Sequence, residues 1–194
     1  MSRLPRDFFA RDALDVAPEL VNKVFVTPVG SGRIVEVEAY QGAEDPASHG
    51  HRGPTPRTEV MFGPPGHLYV YFSYGMHWCA NVVTGPTGQC GAVLIRALEP
   101  LTGVEEMYRR RLRARRDRDL CSGPAKLCAA LGIDGDHGGS DLCRGTSGLA
   151  VVDDGTPAPN PPTATTRIGI TKAADLPWRF VAPDSVHLSR SVRP

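Results

Sequence analysis

Lysine is scarce in this chain. Lys23, Lys126 and Lys172 are the only ones among 194 residues, and nearly all of the positive charge is arginine. Chemistry that needs a side-chain amine therefore has few residues to draw on. No uninterrupted apolar run reaches membrane-spanning length, which argues against a helical membrane protein. The first residues, Met1-Ser2-Arg3-Leu4-Pro5-Arg6, hold no apolar segment of the kind a secretory signal needs, so the expected location is the cytoplasm. The five cysteines (Cys79, Cys90, Cys121, Cys128, Cys143) are odd in number and include no Cys-x-x-Cys pair. Reduced, mostly buried thiols are expected rather than a disulfide framework. A zinc site on Cys143 and His137 would have no ligand spacing behind it, and no Walker, Rossmann or metalloprotease motif is present, so neither a metal nor a cofactor is expected. Net charge is only +1, so the protein is not a polycation, although a local basic face would still suffice for nucleic acid.

What is present fits one globular domain over residues 1–194. Hydrophobic residues make up 41% and charged residues 22%, enough for a core without staples. The 21 glycines and 18 prolines predict long ordered loops. Pro5–Asn22 reads as an amphipathic helix and Lys23–Pro28 as a short strand. Arg33–Tyr40 alternates, with Val35, Val37 and Ala39 on one face and Glu36, Glu38 and Tyr40 on the other. The polar stretch from Gln41 to Gly66 is long for a loop, and Met61-Phe62 within it predicts that it docks on the body. Leu68–Ser73, His77–Val83 and Ala92–Leu98 read as strands, with Tyr74-Gly75 turning the chain. Leu101–Arg118 reads as a helix, basic in its second half. Another helix follows Cys121, with Ser122 as candidate cap and Pro124 in the first turn. Short strands are expected at Leu149–Val152, Thr166–Ile170 and Arg179–Ala182, broken by the loop Pro157–Pro162. Clustered strands with flanking helices predict an α+β fold, a mostly antiparallel curved β-sheet with helices and long ordered loops around it.

Several residues could carry chemistry, each beside an ordinary alternative. Glu38 shares a strand face with Tyr40, where an aromatic setting could make it a general base. It could equally be a solvent-facing strand glutamate, and Glu36 has the same standing. Tyr40, Tyr69, Tyr71 and Tyr74 are four of the five tyrosines and cluster on two strands, as a planar-ligand pocket or simply an aromatic core would require. His49 lies in the polar loop with His51, Arg52 and Arg57, to meet a ligand or only water. The run Arg109–Arg116 suits phosphates or an exposed helix face equally.

In order along the chain stand Gly32-Arg33-Ile34-Val35-Glu36-Val37-Glu38-Ala39-Tyr40, then Asp45-Pro46-Ala47-Ser48-His49, Met61-Phe62, Leu68-Tyr69-Val70-Tyr71, Tyr74-Gly75-Met76 and Asn81. Leu94-Ile95-Arg96-Ala97-Leu98-Glu99-Pro100 and Cys121-Ser122-Gly123-Pro124-Ala125-Lys126-Leu127 follow. This ordered set resembles the alkyladenine (3-methyladenine, N-methylpurine) DNA glycosylases from about Pro5 to Ala182. The resemblance implies a monofunctional base excision repair enzyme, likewise one domain, acting as a monomer on double-stranded DNA that holds a damaged purine. It implies Glu38 as the base that activates water and Arg96 as the arginine that helps hold it. Tyr40, His49 and Tyr71 correspond to the base-pocket lining, Asn81 to the residue that excludes the guanine 2-amino group, Tyr74 to the minor-groove wedge and Met61 to a second residue at the disrupted pair. Ser122, Gly123 and Lys126, at a helix start, are candidates for phosphate contacts. Phe72-Ser73 stands where relatives have aliphatics, and the Gly- and Pro-rich segment before Arg96 leaves Leu94 a weaker match. The lack of a long N-terminal extension favours a bacterial source.

Two rival readings stay open on sequence grounds. An O-glycoside hydrolase could use Glu36 and Glu38 as its carboxylate pair, roughly 7 Å apart on one strand face. A non-catalytic DNA-binding module would use the same basic and aromatic residues without turnover.

Overall fold

The computed structural model describes residues 1–192. Among them, nine strands join in one sheet, and every pairing is antiparallel. The strands are β1 (Ser2–Arg3), β2 (Val24–Val26), β3 (Ser31–Tyr40), β4 (Leu68–Ser73), β5 (His77–Val83), β6 (Ala92–Thr102), β7 (Ala150–Asp153), β8 (Thr163–Thr165) and β9 (Arg179–Val181). The order is β1-β7-β2-β3-β6-β5-β4, with β9 on β3 and β8 on β9. The helices are α1 (Arg6–Phe9), α2 (Ala13–Leu20), α3 (Val104–Arg110) and α4 (Pro124–Leu131). The fold is α+β, as the sequence pattern predicts.

Strand β3 organises the sheet. It runs against β6 along one edge; on the other it pairs with β2 over Arg33, Gly32 and Ser31, and with β9 over Glu36–Glu38. Register shifts on either side of Glu36 mark bulges in the β3·β6 ladder. A bulge adds a residue and changes which side chains face inward. Hence Ile34, rather than the expected Val35, joins Val37 and Ala39 in the main core.

The two faces of the sheet bury different things. On one face Val37, Ala39, Val93, Ile95, Ala80, Val82 and Leu68 pack with Val16, Ala17 and Leu20 of α2 and with Leu127, Cys128 and Leu131 of α4. Each large aliphatic removed from water here contributes on the order of 1.5–3 kcal/mol. Because strand side chains alternate, the intervening residues Glu38, Tyr40, Tyr69, Tyr71, Asn81, Leu94 and Arg96 face the other way. A smaller cluster of Met61, Tyr69, Val83 and Ala92 secures the polar loop on that side.

Four further sequence expectations differ from the structure. The single helix over Pro5–Asn22 is two, because the carbonyls of Phe9 and Arg11 accept from the Gly85 amide and Arg11 Nε donates to Phe8 O. The helix expected over Leu101–Arg118 is shorter. Leu101 and Thr102 end β6, Gly103 turns at φ +74°, and Asp119 accepts from the Arg115 and Arg116 amides beyond Arg110. Ser122 does not cap α4; Gly123 is the N-cap, and Ser122 bridges to Ala97 in the sheet. Pro124 does open the first turn. Thr166–Ile170 is not a strand: the strand is Thr163–Thr165, and residue 167 turns inward to a buried ion pair. No helix among the described residues is long and apolar enough to cross a membrane.

Candidate active site

A cavity of about 510 Å³ opens over β4, β5 and the ends of β3 and β6. That volume is ordinary for a small-molecule site. Tyr40, His49, Met61, Tyr71, Tyr74, Asn81 and Arg96, all singled out from sequence, line it.

Glu38 has no exposed surface and lies behind this wall. Its Oε2 accepts from the Tyr40 hydroxyl at 2.9 Å. Its Oε1 accepts from the Ile168 amide at 2.7 Å and meets Arg96 Nη1 at 3.2 Å. All three partners are lining residues, so the carboxylate reaches the cavity through the groups that hold it. Burial, and then the Glu38 charge, hold the Tyr40 phenol well above its ordinary pKa, so it remains a donor.

Glu36, equal to Glu38 on sequence grounds, is spent on structure. Arg96 Nε donates to it at 2.9 Å and Arg179 Nε at 2.8 Å; Ser189 adds its amide and hydroxyl, both at 2.6 Å. Burial pushes its pKa up, but these donors outweigh burial and hold it below the ordinary glutamate range. Arg96 therefore spans both carboxylates, and burial, which disfavours its charge, is outweighed by Glu38 and Glu36.

The aromatic wall is built from hairpin β4–β5 and the docked polar loop. Tyr69 and Tyr71 lie 5.6 Å apart, stacked with a 29° interplanar angle. His49 meets Tyr71 edge-on at 4.5 Å and shares a 3.1 Å hydrogen bond with the Tyr69 hydroxyl. Burial, with help from the Arg57 charge, lowers the His49 pKa, favouring the neutral imidazole. Asn81 is buried, and its amide donates to Tyr69 O at 3.1 Å. At the hairpin tip Tyr74 is 84% exposed, with φ +51°, beside Gly75 at φ +65°. Both central residues of this turn are thus left-handed, a type I′ pattern that costs a tyrosine far more than a glycine. A strained, exposed aromatic at the mouth of a pocket is a functional signal.

A sequence profile described as Methylpurine-DNA glycosylase (MPG) matches residues 7–186. The chain belongs to this family. Relatives whose names contain 3-methyladenine DNA glycosylase include one from Burkholderia lata, 56% identical over 190 residues that cover 97% of this chain and 92% of the relative. Another, from Nitrobacter winogradskyi, is 50% identical over 98% of this chain and 88% of its own length. A third, from Carboxydothermus hydrogenoformans, is 48% identical over 96% and 98%.

Met61, expected as a second residue at the disrupted pair, is 2% exposed and packs with Tyr69 in the pocket wall. Ser122, Gly123 and Lys126 stand just outside the lining, next to Pro124 and Ala125, which are in it. Lys126 Nζ donates to Ser122 Oγ at 3.1 Å. The arginine run divides: Arg109 and Arg110 pair with Glu106 on α3, and the rest lies beyond the helix. Arg57, over the Tyr71 ring at 5.3 Å, and Cys79 also line the cavity. So do Ile168, Gly169 and Ile170, which the strand expected over Thr166–Ile170 does not bring to the site; the glycine at 169, which adopts φ +80°, is the sequence signal against a strand.

Proposed function

We propose that the enzyme excises alkylated and deaminated purines of the 3-methyladenine, hypoxanthine and ethenoadenine type, by flipping them from duplex DNA and hydrolysing the N-glycosidic bond with water. The observation that carries this reading is the Glu38 carboxylate, gripped by Tyr40, Arg96 and Ile168 directly behind an aromatic pocket. A base inside a duplex is out of reach, and extruding it costs a few kcal/mol, least for a damaged one. Tyr74 fills the gap left in the helix, and the base enters between His49, Tyr40 and Tyr71. A cationic alkylpurine gains cation–π attraction there.

Glu38 takes a proton from water as the oxygen bonds to C1′. The C1′–N bond breaks with its electron pair leaving on the purine, and an abasic site remains in an uncut strand. A carboxylate near C1′ also favours oxocarbenium character. Asn81 limits space at the purine 2-position. The paired-carboxylate reading loses support because Glu36 is saturated by four donors, two arginines and the amide and hydroxyl of Ser189.

Duplexes carrying one hypoxanthine or one ethenoadenine, incubated with the protein and then heated in alkali, test the proposal. Base release with breaks only after alkali is the expected result. Binding without release would instead favour a non-catalytic module.

A further inference from the structure

Arg167 is a buried arginine beside the site, and nothing in the excision chemistry itself calls for it. Its side chain and that of Asp45 are both fully buried. Nη1 donates to Asp45 Oδ2 at 2.5 Å and Nη2 to Oδ1 at 2.9 Å, a two-pronged pair. Nη1 also donates to Ala39 O at 3.0 Å, and the guanidinium lies 4.7 Å from the Tyr40 ring and 5.0 Å from that of Trp178. Its Nε is buried without a partner.

A buried ion pair is a poor stability device, because apolar residues of similar volume often serve as well or better. What it does provide is fixed geometry: a planar fork cannot rotate without losing both bonds. Here that geometry has a particular output. The next residue, Ile168, gives its amide to Glu38 Oε1, and the ring under the guanidinium, Tyr40, gives its hydroxyl to Oε2. The same Asp45 accepts from the Ala47 amide, in the turn that delivers His49 to the pocket. One guanidinium therefore ties the end of β3, the His49 loop and the 167–170 loop together around one carboxylate.

We propose that Arg167, locked by Asp45, is a positioning residue that sets the Ile168 amide and the Tyr40 hydroxyl on the two oxygens of Glu38. This rests on the reading of Glu38 as the base. Misplacement of catalytic groups by about 1 Å can cost on the order of 100-fold in rate. Substrate capture depends mainly on phosphate contacts and the wedge, which Arg167 does not touch.

The test compares Arg167→Met, Arg167→Lys, Asp45→Asn and Glu38→Gln with wild type, each well below its melting temperature. The readouts are single-turnover release of hypoxanthine and affinity for a duplex carrying a tetrahydrofuran abasic analogue. Arg167→Met should slow release about 100-fold with affinity little changed. Arg167→Lys should recover part of the rate, since lysine keeps the charge but not the fork. Wild-type release rates in folded Arg167 and Asp45 variants overturn the proposal, as does a loss of affinity in proportion to rate, which marks general pocket collapse. If Arg167→Met does not fold, Arg167→Lys and Asp45→Asn decide by the same criteria. An active Glu38→Gln overturns the base assignment itself; an inactive one beside fully active Arg167 and Asp45 variants overturns only the positioning role.

Discussion

Tyr40 donates its hydroxyl to Oε2 of Glu38 at 2.9 Å, two residues along one face of one strand. The pair is local in sequence, but its meaning is not, because the neighbouring Glu36 on the same face is bound into the structure by Arg96, Arg179 and Ser189. Removing each carboxylate should therefore have a different consequence. Glu38→Gln should lower excision by about 10²–10⁴-fold while lesion binding persists. Glu36→Gln leaves two buried arginines short of a partner and should cost about 3–5 kcal/mol of stability. Single-turnover kinetics and thermal melting separate the two. Near-wild-type excision by Glu38→Gln would falsify the assignment.

Tyr74 stands 84% exposed in a left-handed conformation at the tip of the β4–β5 hairpin. Tyr74→Ala should shift the flipping equilibrium of a fluorescent base analogue toward the stacked state, while affinity for undamaged DNA, set mainly by phosphates, changes little. Tyr74→Gly should in addition raise the melting temperature slightly relative to Tyr74→Ala, because glycine carries no penalty at positive φ. An unchanged flipping signal would remove the wedge role.

Asn81 is held against Tyr69 O and faces the cavity. Asn81→Ser shortens the side chain, so excision of guanine-type bases should rise relative to adenine-type by about 10–200-fold, the range a small steric contact supplies. Competition between hypoxanthine and 7-methylguanine duplexes in one reaction measures that ratio. If it stays put while the melting temperature drops, the amide is there to brace Tyr69.

His49 titrates below its ordinary 6.5, because burial and then Arg57 disfavour the imidazolium. Near pH 7 it is neutral and compatible with a cationic base. As pH falls through the depressed value, a positive charge appears beside the pocket. Excision of cationic alkylpurines should then fall faster than excision of hypoxanthine, because only the cationic base is repelled. The ratio of the two rates between pH 7.5 and 5 follows this, and His49→Asn should flatten it. The unfolded histidine protonates first on acidification, so the same group removes stability as pH drops below 6.5.

None of the three lysines lines the cavity among the described residues. Lys23 pairs with Asp153 at 2.9 Å, and Lys126 with Ser122 at 3.1 Å. A glycosylase that also cuts the strand attacks C1′ with an amine. Borohydride should therefore trap no covalent adduct with lesion DNA, and no strand breaks should appear without alkali. A trapped adduct lost in Lys126→Ala would overturn the water mechanism.

The alternation of β3, β4 and β5, the turn at Tyr74-Gly75 and the proline that opens α4 were legible in sequence because each depends on residues a few positions apart. So was the separation of a helix-packed face from a tyrosine-bearing one. Where distant groups compete, local pattern misled. The Gly85 amide breaks the N-terminal helix in two, and a bulge at Glu36 exchanges Ile34 for Val35 in the core. Beyond the local Tyr40 hydroxyl, the choice between Glu36 and Glu38 lies in residues more than fifty positions away: Arg96, Ile168, Arg179 and Ser189. Identical side chains on one strand face have identical local signatures, and only the donors that the fold brings to each decide which carboxylate is bound into the scaffold and which is left beside the pocket.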